Sequence, residues 1–171
     1  MRWNLRIFLR PWTFFAMLSR TQTLEGVTSE VVTEPEEKHL HYIFFDLEGD
    51  TLTLAEVEQK LGEIQRDFKL GDIYVFSDAE GSYRAFCWSK RPWITYLHIL
   101  LHSFPLLDYG FWVWTVRRGS ATLRTSDKVG RPHQECAKVL EGFEPTVFPE
   151  KVCYVQYDTG IEKQGRLIEL G

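Results

Sequence analysis

Two carboxylates stand at the end of an apolar run in residues 41–50, which read HYIFFDLEGD. Side chains of a β-strand alternate between its two faces, so Asp46 and Glu48 are expected to lie on the same face. Two carboxylates arranged in this way can bind Mg²⁺ or Mn²⁺ together with the phosphate oxygens of a substrate. The same pattern also occurs where a strand ends in an ordinary turn, here at Gly49, and the spacing alone does not separate the two interpretations.

Arginines and aromatic rings follow in segments that can form neighbouring strands. Arg84 lies in GSYRAFCW, where Phe86 and Trp88 are expected on its strand face. Guanidinium groups bind phosphates through paired hydrogen bonds, and rings such as Tyr42 and Phe44 can stack on nucleobases. We therefore expect Arg84 to bind a phosphate. The residues expected to bind a nucleic-acid template or a triphosphate are Arg117, Arg118, Arg124 and Lys128.

The charge is unevenly distributed along the chain. The net charge is −4, yet residues 30–80 contain 14 acids and 4 bases. Residues 84–131 contain 8 bases and 2 acids. A basic segment beside an acidic one suits a polyanion bound next to a metal ion. Ordinary charges on a solvated surface are the other interpretation.

The first half of the chain shows clear signals for the elements that would position these residues. A strand at residues 39–48 is followed by a helix that begins at a capping box of Thr53 and Glu56. Apolar residues then recur at helical spacing along one face of this helix. Two strands surround a predicted turn at residues 78–81, and Pro92 suits the first turn of a second helix.

The second half is less regular. The aromatic and β-branched segment at residues 109–128, YGFWVWTVRRGSATLRTSDK, predicts a second hairpin with its turn near residues 118–120. After residue 131 only KVCYVQYD, residues 151–158, reads as a strand. The first 29 residues are basic and aromatic and suit one strand or one helix.

The predicted order from residue 39, β-α-β-β-α-β, specifies an α+β fold. It forms an antiparallel sheet with two helices packed on one face and leaves the other face open, as in RNA-recognition-type domains. We expect residues 1–38 to be a basic aromatic lead-in packed on the core. Residues 39–131 form the core, and residues 132–171 form a C-terminal extension with one strand.

These motifs resemble those of the archaeo-eukaryotic primase superfamily, whose catalytic core is similar to an RNA-recognition fold. The strand-borne acid-x-acid pair of that family is matched by Asp46 and Glu48. Its small-residue-x-His motif is matched by Ser82-Tyr83-Arg84, with Arg84 in the place of the His. Its late basic strand is similar to TLRTSDK. Its third motif is a strand-borne acid, which FWVWTVRRG lacks; Asp108 precedes that segment and Asp127 follows the next one.

The resemblance implies a replication protein that binds single-stranded nucleic acid or nucleotides. In such a protein Asp46 and Glu48 would bind Mg²⁺ or Mn²⁺ and, with Arg84, would form the catalytic set of a nucleotidyltransferase. Whether primer synthesis accompanies binding stays open, and we expect weak or absent synthesis because Arg84 stands where the family has His. Other replication proteins are the further partners that this interpretation implies. The protein is expected in the cytoplasm, and its source, whether cell, plasmid or virus, stays open.

Two alternatives remain at this point. HLHYIFF, a His-apolar-His strand, resembles the metal motif of rolling-circle replication initiators, in which two His residues bind a divalent ion. Here these would be His39 and His41, with a Tyr on a helix as nucleophile; Tyr96 lies on a predicted helix, but Ile99 stands where the accompanying Lys is expected. The second alternative is an interaction module without catalysis.

Cysteine usage and hydropathy restrict the setting. Cys87, Cys136 and Cys153 are widely spaced and odd in number, which predicts a reducing compartment rather than a disulfide framework. Arg6 and Arg10 interrupt the apolar residues near the N-terminus, unlike the core of a signal peptide. We therefore expect no membrane partner.

Overall fold

The computed structural model describes residues 2–9, 12–19, 24–32, 35–37, 39–77, 81–125, 133–158 and 161–169. These residues form ten strands, three α-helices and a short 3₁₀ turn at Pro35–Glu37. The strands are β1 (Arg2–Leu9), β2 (Trp12–Ser19), β3 (Leu24–Thr28), β4 (Leu40–Glu48), β5 (Ile73–Ser77), β6 (Ser82–Pro92), β7 (Thr122–Arg124), β8 (Glu135–Leu140), β9 (Lys151–Asp158) and β10 (Ile161–Glu169). The helices are α1 (Leu54–Phe68), α2 (Trp93–His102) and α3 (Tyr109–Arg118).

The strands pair only in the antiparallel sense, which together with the helices confirms the predicted α+β class. The central sheet has the order β4-β6-β5-β8. A second sheet has the order β10-β9-β3-β7, and β1 and β2 form a hairpin of their own. No helix in the part of the chain that the structure describes is long and apolar enough to cross a membrane.

The second sheet crosses the predicted segment boundaries. Its strand β3 comes from the predicted lead-in, β7 from the predicted core, and β9 and β10 from the predicted extension. The extension contains three strands rather than the one predicted. Strands β8 and β9 pair with β5 and β3, which are far away in the sequence, and such pairing leaves no local signal in the chain. Strand β10 pairs with β9, its neighbour in the sequence.

Helix α1 begins where the sequence predicts. The Thr53 hydroxyl accepts a hydrogen bond from the backbone N–H of Glu56, and the Glu56 carboxylate accepts one from the backbone N–H of Thr53. The helix buries Val57, Leu61 and Ile64. These side chains join the main core, and α1 also contacts α2.

One face of the central sheet is fully covered. Two cross-strand rows have no exposed surface, namely Ile43 with Cys87 and Ile73, and Phe45 with Ala85 and Val75. His41 lies on the same face of β4 and contacts the rings of Trp93 and Tyr96 in α2. Helix α2 therefore packs on this face, and Asp46 and Arg84 occupy the opposite one.

The predicted second hairpin is wrong in its first strand, because residues 109–118 form α3. The Asp108 carboxylate accepts a hydrogen bond from the backbone N–H of Phe111, which caps the helix N-terminus. Gly119, which was predicted to lie in a hairpin turn, has φ 76° and ends the helix in the left-handed conformation. Tertiary packing of Phe111 and Thr115 thus outweighs the β propensity of this aromatic, β-branched run.

The outer edge of β4 is closed by three separate segments instead of a fourth strand. At its start, the N–H of Val31 donates to Leu40 and that of Tyr42 donates to Ser29. In its middle, the Tyr96 hydroxyl accepts from the N–H of Phe44 at 3.1 Å and donates to the Phe44 carbonyl at 2.8 Å.

At the end of β4, residues 106–108 pair with residues 46–48. The predicted fourth strand is replaced by α3, and the second strand of the predicted hairpin is present only as the short β7, which pairs with β3. The sheet order expected for an RNA-recognition-type domain is therefore not reproduced at this edge. The consequence for function is that residues 106–108, rather than a strand, lie next to the predicted acidic pair.

Candidate functional site

Asp46 and Arg84 lie directly opposite each other on the neighbouring strands β4 and β6. Arg84 Nε is 3.9 Å from Asp46 Oδ1, and the Arg84 Nη1 donates a hydrogen bond of 2.9 Å to the carbonyl oxygen of Arg124. The side chain of Arg84 is only 9% exposed. The structure thus brings together three of the predicted site residues and places Arg84 as a buried link between Asp46 and β7.

Asp108 is a further acid at this site that the sequence-based prediction did not include. Its backbone N–H donates a hydrogen bond of 2.8 Å to the carbonyl oxygen of Asp46. Asp108 stands just before FWVWTVRRG, a segment without an acid, as the N-cap of α3. Asp is a preferred N-cap residue, but the aromatic, β-branched run that follows it predicts a strand and masks this signal.

The Asp46 carboxyl has an unusual affinity for protons. Its pKa is raised to about 6, and the largest cause is burial of the carboxyl group. About a third of the side chain surface stays exposed. The negative charges of Asp108 and Glu48 raise this pKa further, whereas Arg84 and Arg124 oppose the increase. A divalent cation near these acids would relieve their mutual repulsion.

A cleft of about 300 Å³ opens between the end of β4, helix α3 and β7. We call it the β4–α3 cleft. The residues that line it include Asp46, Asp108, Phe111, Trp114, Arg118 and Thr122. Acidic, basic and aromatic side chains therefore share one concave surface, which is the usual character of a small-molecule or nucleotide site.

Trp114 and two arginines form a cationic aromatic group on α3. The guanidinium carbon of Arg117 is 5.2 Å from the centre of the Trp114 ring, and that of Arg118 is 5.0 Å from it. The Trp114 side chain nevertheless stays 41% exposed. Residues three and four positions apart on a helix lie on neighbouring turns, which explains why both arginines reach the ring.

Two buried polar atoms beside the cleft have no hydrogen-bond partner among the described residues. They are the hydroxyl oxygen of Thr122 and the Nε of Arg124. Thr122 lines the cleft, and the charge of Arg124 acts on Asp46. Buried polar groups are normally hydrogen-bonded, so these two atoms are exceptions within the described part of the chain.

The other predicted site residues lie in varied positions. Glu48 is exposed at the end of β4, and Arg117 is exposed on α3. Tyr42 and Phe44 are only 1% exposed and pack against the edge of Trp88, so they are not accessible as stacking surfaces. Lys128 lies outside the described residues.

The two histidines of the alternative metal motif lie in different environments. His39 is exposed, whereas His41 is buried and its Nδ1 is 3.0 Å from the Ser29 hydroxyl. Burial lowers the pKa of His41 to about 4, so its ring is neutral near pH 7. His41 thus packs in the core between β4 and α2.

The acids at the cleft have the donor chemistry of a Mg²⁺ or Mn²⁺ site. Among the residues that the structure describes, no group of three or more His, Cys, Asp or Glu side chains is arranged to hold a metal ion. The carboxylate of Asp108 caps α3 and that of Asp46 lies near Arg84. Carboxylate oxygens are nevertheless the ligands these ions prefer, so Asp46 and Glu48 match a divalent cation in donor type.

Comparisons of the chain with protein-family models, with curated proteins and with solved structures find no match. Function must therefore be inferred from the cleft itself and from the motif resemblance. Three features of the cleft bear on that inference, namely its two acids, its arginine and its exposed indole ring.

Proposed function

We propose that this chain is a primase-like protein that binds single-stranded nucleic acid or nucleotides in the β4–α3 cleft. The observation that carries the proposal is the shared lining of the cleft, in which Asp46 and Asp108 occur together with Arg118 and Trp114. The Arg118 guanidinium can bind a phosphate, and the Trp114 ring can stack on a nucleobase. The two carboxylates repel the phosphate unless a cation lies between them and it.

Charge explains why a metal ion belongs in this proposal. A phosphate that enters a cleft lined by two carboxylates is repelled by both of them. A divalent cation held by Asp46 and Glu48 would reduce that repulsion and bind the phosphate oxygens directly. When bound, such an ion supplies charge neutralisation and activates an attacking hydroxyl group.

The chain's own residues then have distinct tasks. Arg118 binds a phosphate at the cleft wall. Arg84 fixes β7 against Asp46 through its hydrogen bond to the Arg124 carbonyl and supplies a positive charge beside the acid. Arg84 is a positioning residue in this account, because its buried side chain is already engaged with protein atoms.

Nucleotidyl transfer is the second candidate function. The observation that favours it is the position of Asp108 next to Asp46, since the primase resemblance implies a third acid near the acid-x-acid pair. Arg84 in the place of the family's His counts in the other direction. We expect weak or absent primer synthesis, and the test is incubation with a single-stranded template, labelled nucleotides and Mn²⁺. Robust product that disappears in Asp46→Ala would establish an enzyme.

The binding proposal is tested by the salt dependence of affinity for a labelled single-stranded oligonucleotide in Mg²⁺. Each lost phosphate contact lowers the slope of log affinity against log salt by about 0.7 for a single strand. Arg118→Ala should show this loss. Arg66→Ala is the matched control, because Arg66 is an exposed arginine on α1 that does not line the cleft. Equal slopes for both variants and the wild type would refute the proposal.

A further inference from the structure

We propose that Trp114 is the base-stacking subsite of the β4–α3 cleft, so that the protein selects unpaired nucleobases over phosphate chains without bases and over duplexes. This inference rests on the proposed nucleic-acid binding function and specifies what the cleft recognises. It assigns to one side chain a preference for bases that metal and phosphate contacts by themselves do not produce.

Trp114 differs from other tryptophans of the described chain in its ring contacts. Three of them each contact another ring of the protein, with these distances between ring centres: 4.9 Å from Trp88 to Phe86, 4.8 Å from Trp93 to His41, and 6.0 Å from Trp112 to Phe104. Trp114 has no ring partner among the described residues, and its side chain is 41% exposed where it lines the cleft. A large exposed ring in a concave site is a recognised place for ligand stacking.

The guanidinium groups of Arg117 and Arg118 lie close to the Trp114 ring. The guanidinium carbons of Arg117 and Arg118 lie over the Trp114 ring, 5.2 and 5.0 Å from its centre, and concentrate positive charge there. A nucleotide presents a flat base next to a negative phosphate, and an aromatic ring with guanidinium groups over it can stack on the one and neutralise the other. Arg118 lines the cleft together with Trp114, so one nucleotide can contact both.

The size of the cleft and the access of a base to Trp114 also favour an unpaired nucleotide. The cleft volume of about 300 Å³ is at the lower end of the range for small-molecule sites, which suits a single nucleotide. A base inside a duplex is already stacked on both faces and paired at its edge, so it can reach Trp114 only after leaving the helix. Selectivity for single strands follows from this cost of unstacking.

The experiment compares three probes on the full-length chain in Mg²⁺. They are an oligothymidine strand, an abasic deoxyribose-phosphate strand of the same length, and the corresponding duplex. Wild type should bind the thymidine strand more tightly than either of the others, by about five- to a hundredfold, the usual effect of one base on one aromatic ring. Trp114→Ala should lose this preference and bind the thymidine strand as weakly as the abasic strand.

Two further variants keep the result interpretable. Trp114→Phe retains an aromatic face and should keep most of the preference. Tyr109→Ala removes an aromatic residue that is 72% exposed on the same helix but does not line the cleft, so it should bind like wild type. The inference is wrong if Trp114→Ala binds the thymidine strand like wild type, or if it weakens both strands equally.

The failure of this inference can be told apart from that of the proposed function. If wild type binds neither strand, nucleic-acid binding in the cleft is refuted and the stacking subsite with it. If wild type binds thymidine and abasic strands equally and still responds to Arg118→Ala, the proposed function stands and the stacking subsite is refuted.

Discussion

The backbone N–H of Asp108 donates a 2.8 Å hydrogen bond to the carbonyl oxygen of Asp46. This bond fixes the start of α3 to the end of β4. It places the helix that carries Trp114, Arg117 and Arg118 beside the acid-x-acid pair. The β4–α3 cleft lies at this junction, with Asp46 and Asp108 in its lining.

Asp108 is expected to act in two separable ways, as the cap of α3 and as a charge near Asp46. Asp108→Ala should lower the free energy of unfolding by about 0.5–2 kcal/mol, because it removes an N-cap. Asp108→Asn should keep most of the stability, since Asn also caps helices, but should lower the pKa of Asp46 by removing a neighbouring negative charge. Urea unfolding and NMR titration of the Asp46 carboxyl measure the two effects.

The control for this pair is Thr53→Ala, which removes the cap of α1. It should reproduce the loss of stability and leave the pKa of Asp46 unchanged. An Asp46 pKa that is the same in Asp108→Asn and wild type would contradict the electrostatic coupling between the two acids.

The raised pKa of Asp46, about 6, predicts two pH effects of known sign. The folded state binds the proton more tightly than the unfolded chain, so the contribution of Asp46 to stability is full below the unfolded pKa of 3.8 and is lost as pH rises through about 6. Asp46→Asn should remove this loss, so that the variant gains stability relative to wild type between these pH values. Denaturant unfolding at a series of pH values measures it.

The same proton competes with a metal ion. Mn²⁺ affinity should rise by up to about tenfold per pH unit below pH 6 and should level off above it, because Asp46 must lose its proton to act as a ligand. Calorimetric titration with Mn²⁺ measures the affinity, and His39→Ala should leave it unchanged. If His39→Ala abolished Mn²⁺ binding while Asp46→Ala did not, the initiator alternative would replace the primase-like one.

Tyr96 is expected to stabilise the edge of β4 through its hydroxyl group alone. Tyr96→Phe leaves the N–H and the carbonyl of Phe44 without their partner in a fully buried place. The expected loss in the free energy of unfolding is about 1–3 kcal/mol, the cost of unsatisfied buried polar groups. Tyr109→Phe, at a 72% exposed position, is the control and should cost almost nothing. Equal stabilities of the two variants would contradict this role.

Local patterns in the sequence predicted the parts of the site that depend on strand alternation and helix capping. Asp46 and Arg84 share a face because they are direct partners on neighbouring strands, in which alternate side chains point to the same side. Helix α1 has Thr53 as its N-cap because its capping box is complete. The nature of residues 109–118 was predicted wrongly, because aromatic and β-branched residues favour strands and only packing made them helical.

Long-range contacts account for the rest. The position of Asp108 depends on the pairing of residues 106–108 with the end of β4, and the second sheet depends on contacts between β3 and β9. No periodicity within a short window encodes such partners. The acid that completes the cleft was therefore visible in the sequence as a residue type, but its location was not.

The central claim is that nucleic acid binds in the β4–α3 cleft, and the most direct measurement is an NMR titration of the labelled chain with a short single-stranded oligonucleotide in Mg²⁺. The claim predicts that shifts concentrate at Asp46, Asp108, Arg118 and the indole N–H of Trp114. It would be contradicted if the Trp114 indole signal stayed unchanged while shifts concentrated at the exposed apolar residues Phe143, Val147 and Phe148, which lie outside the cleft.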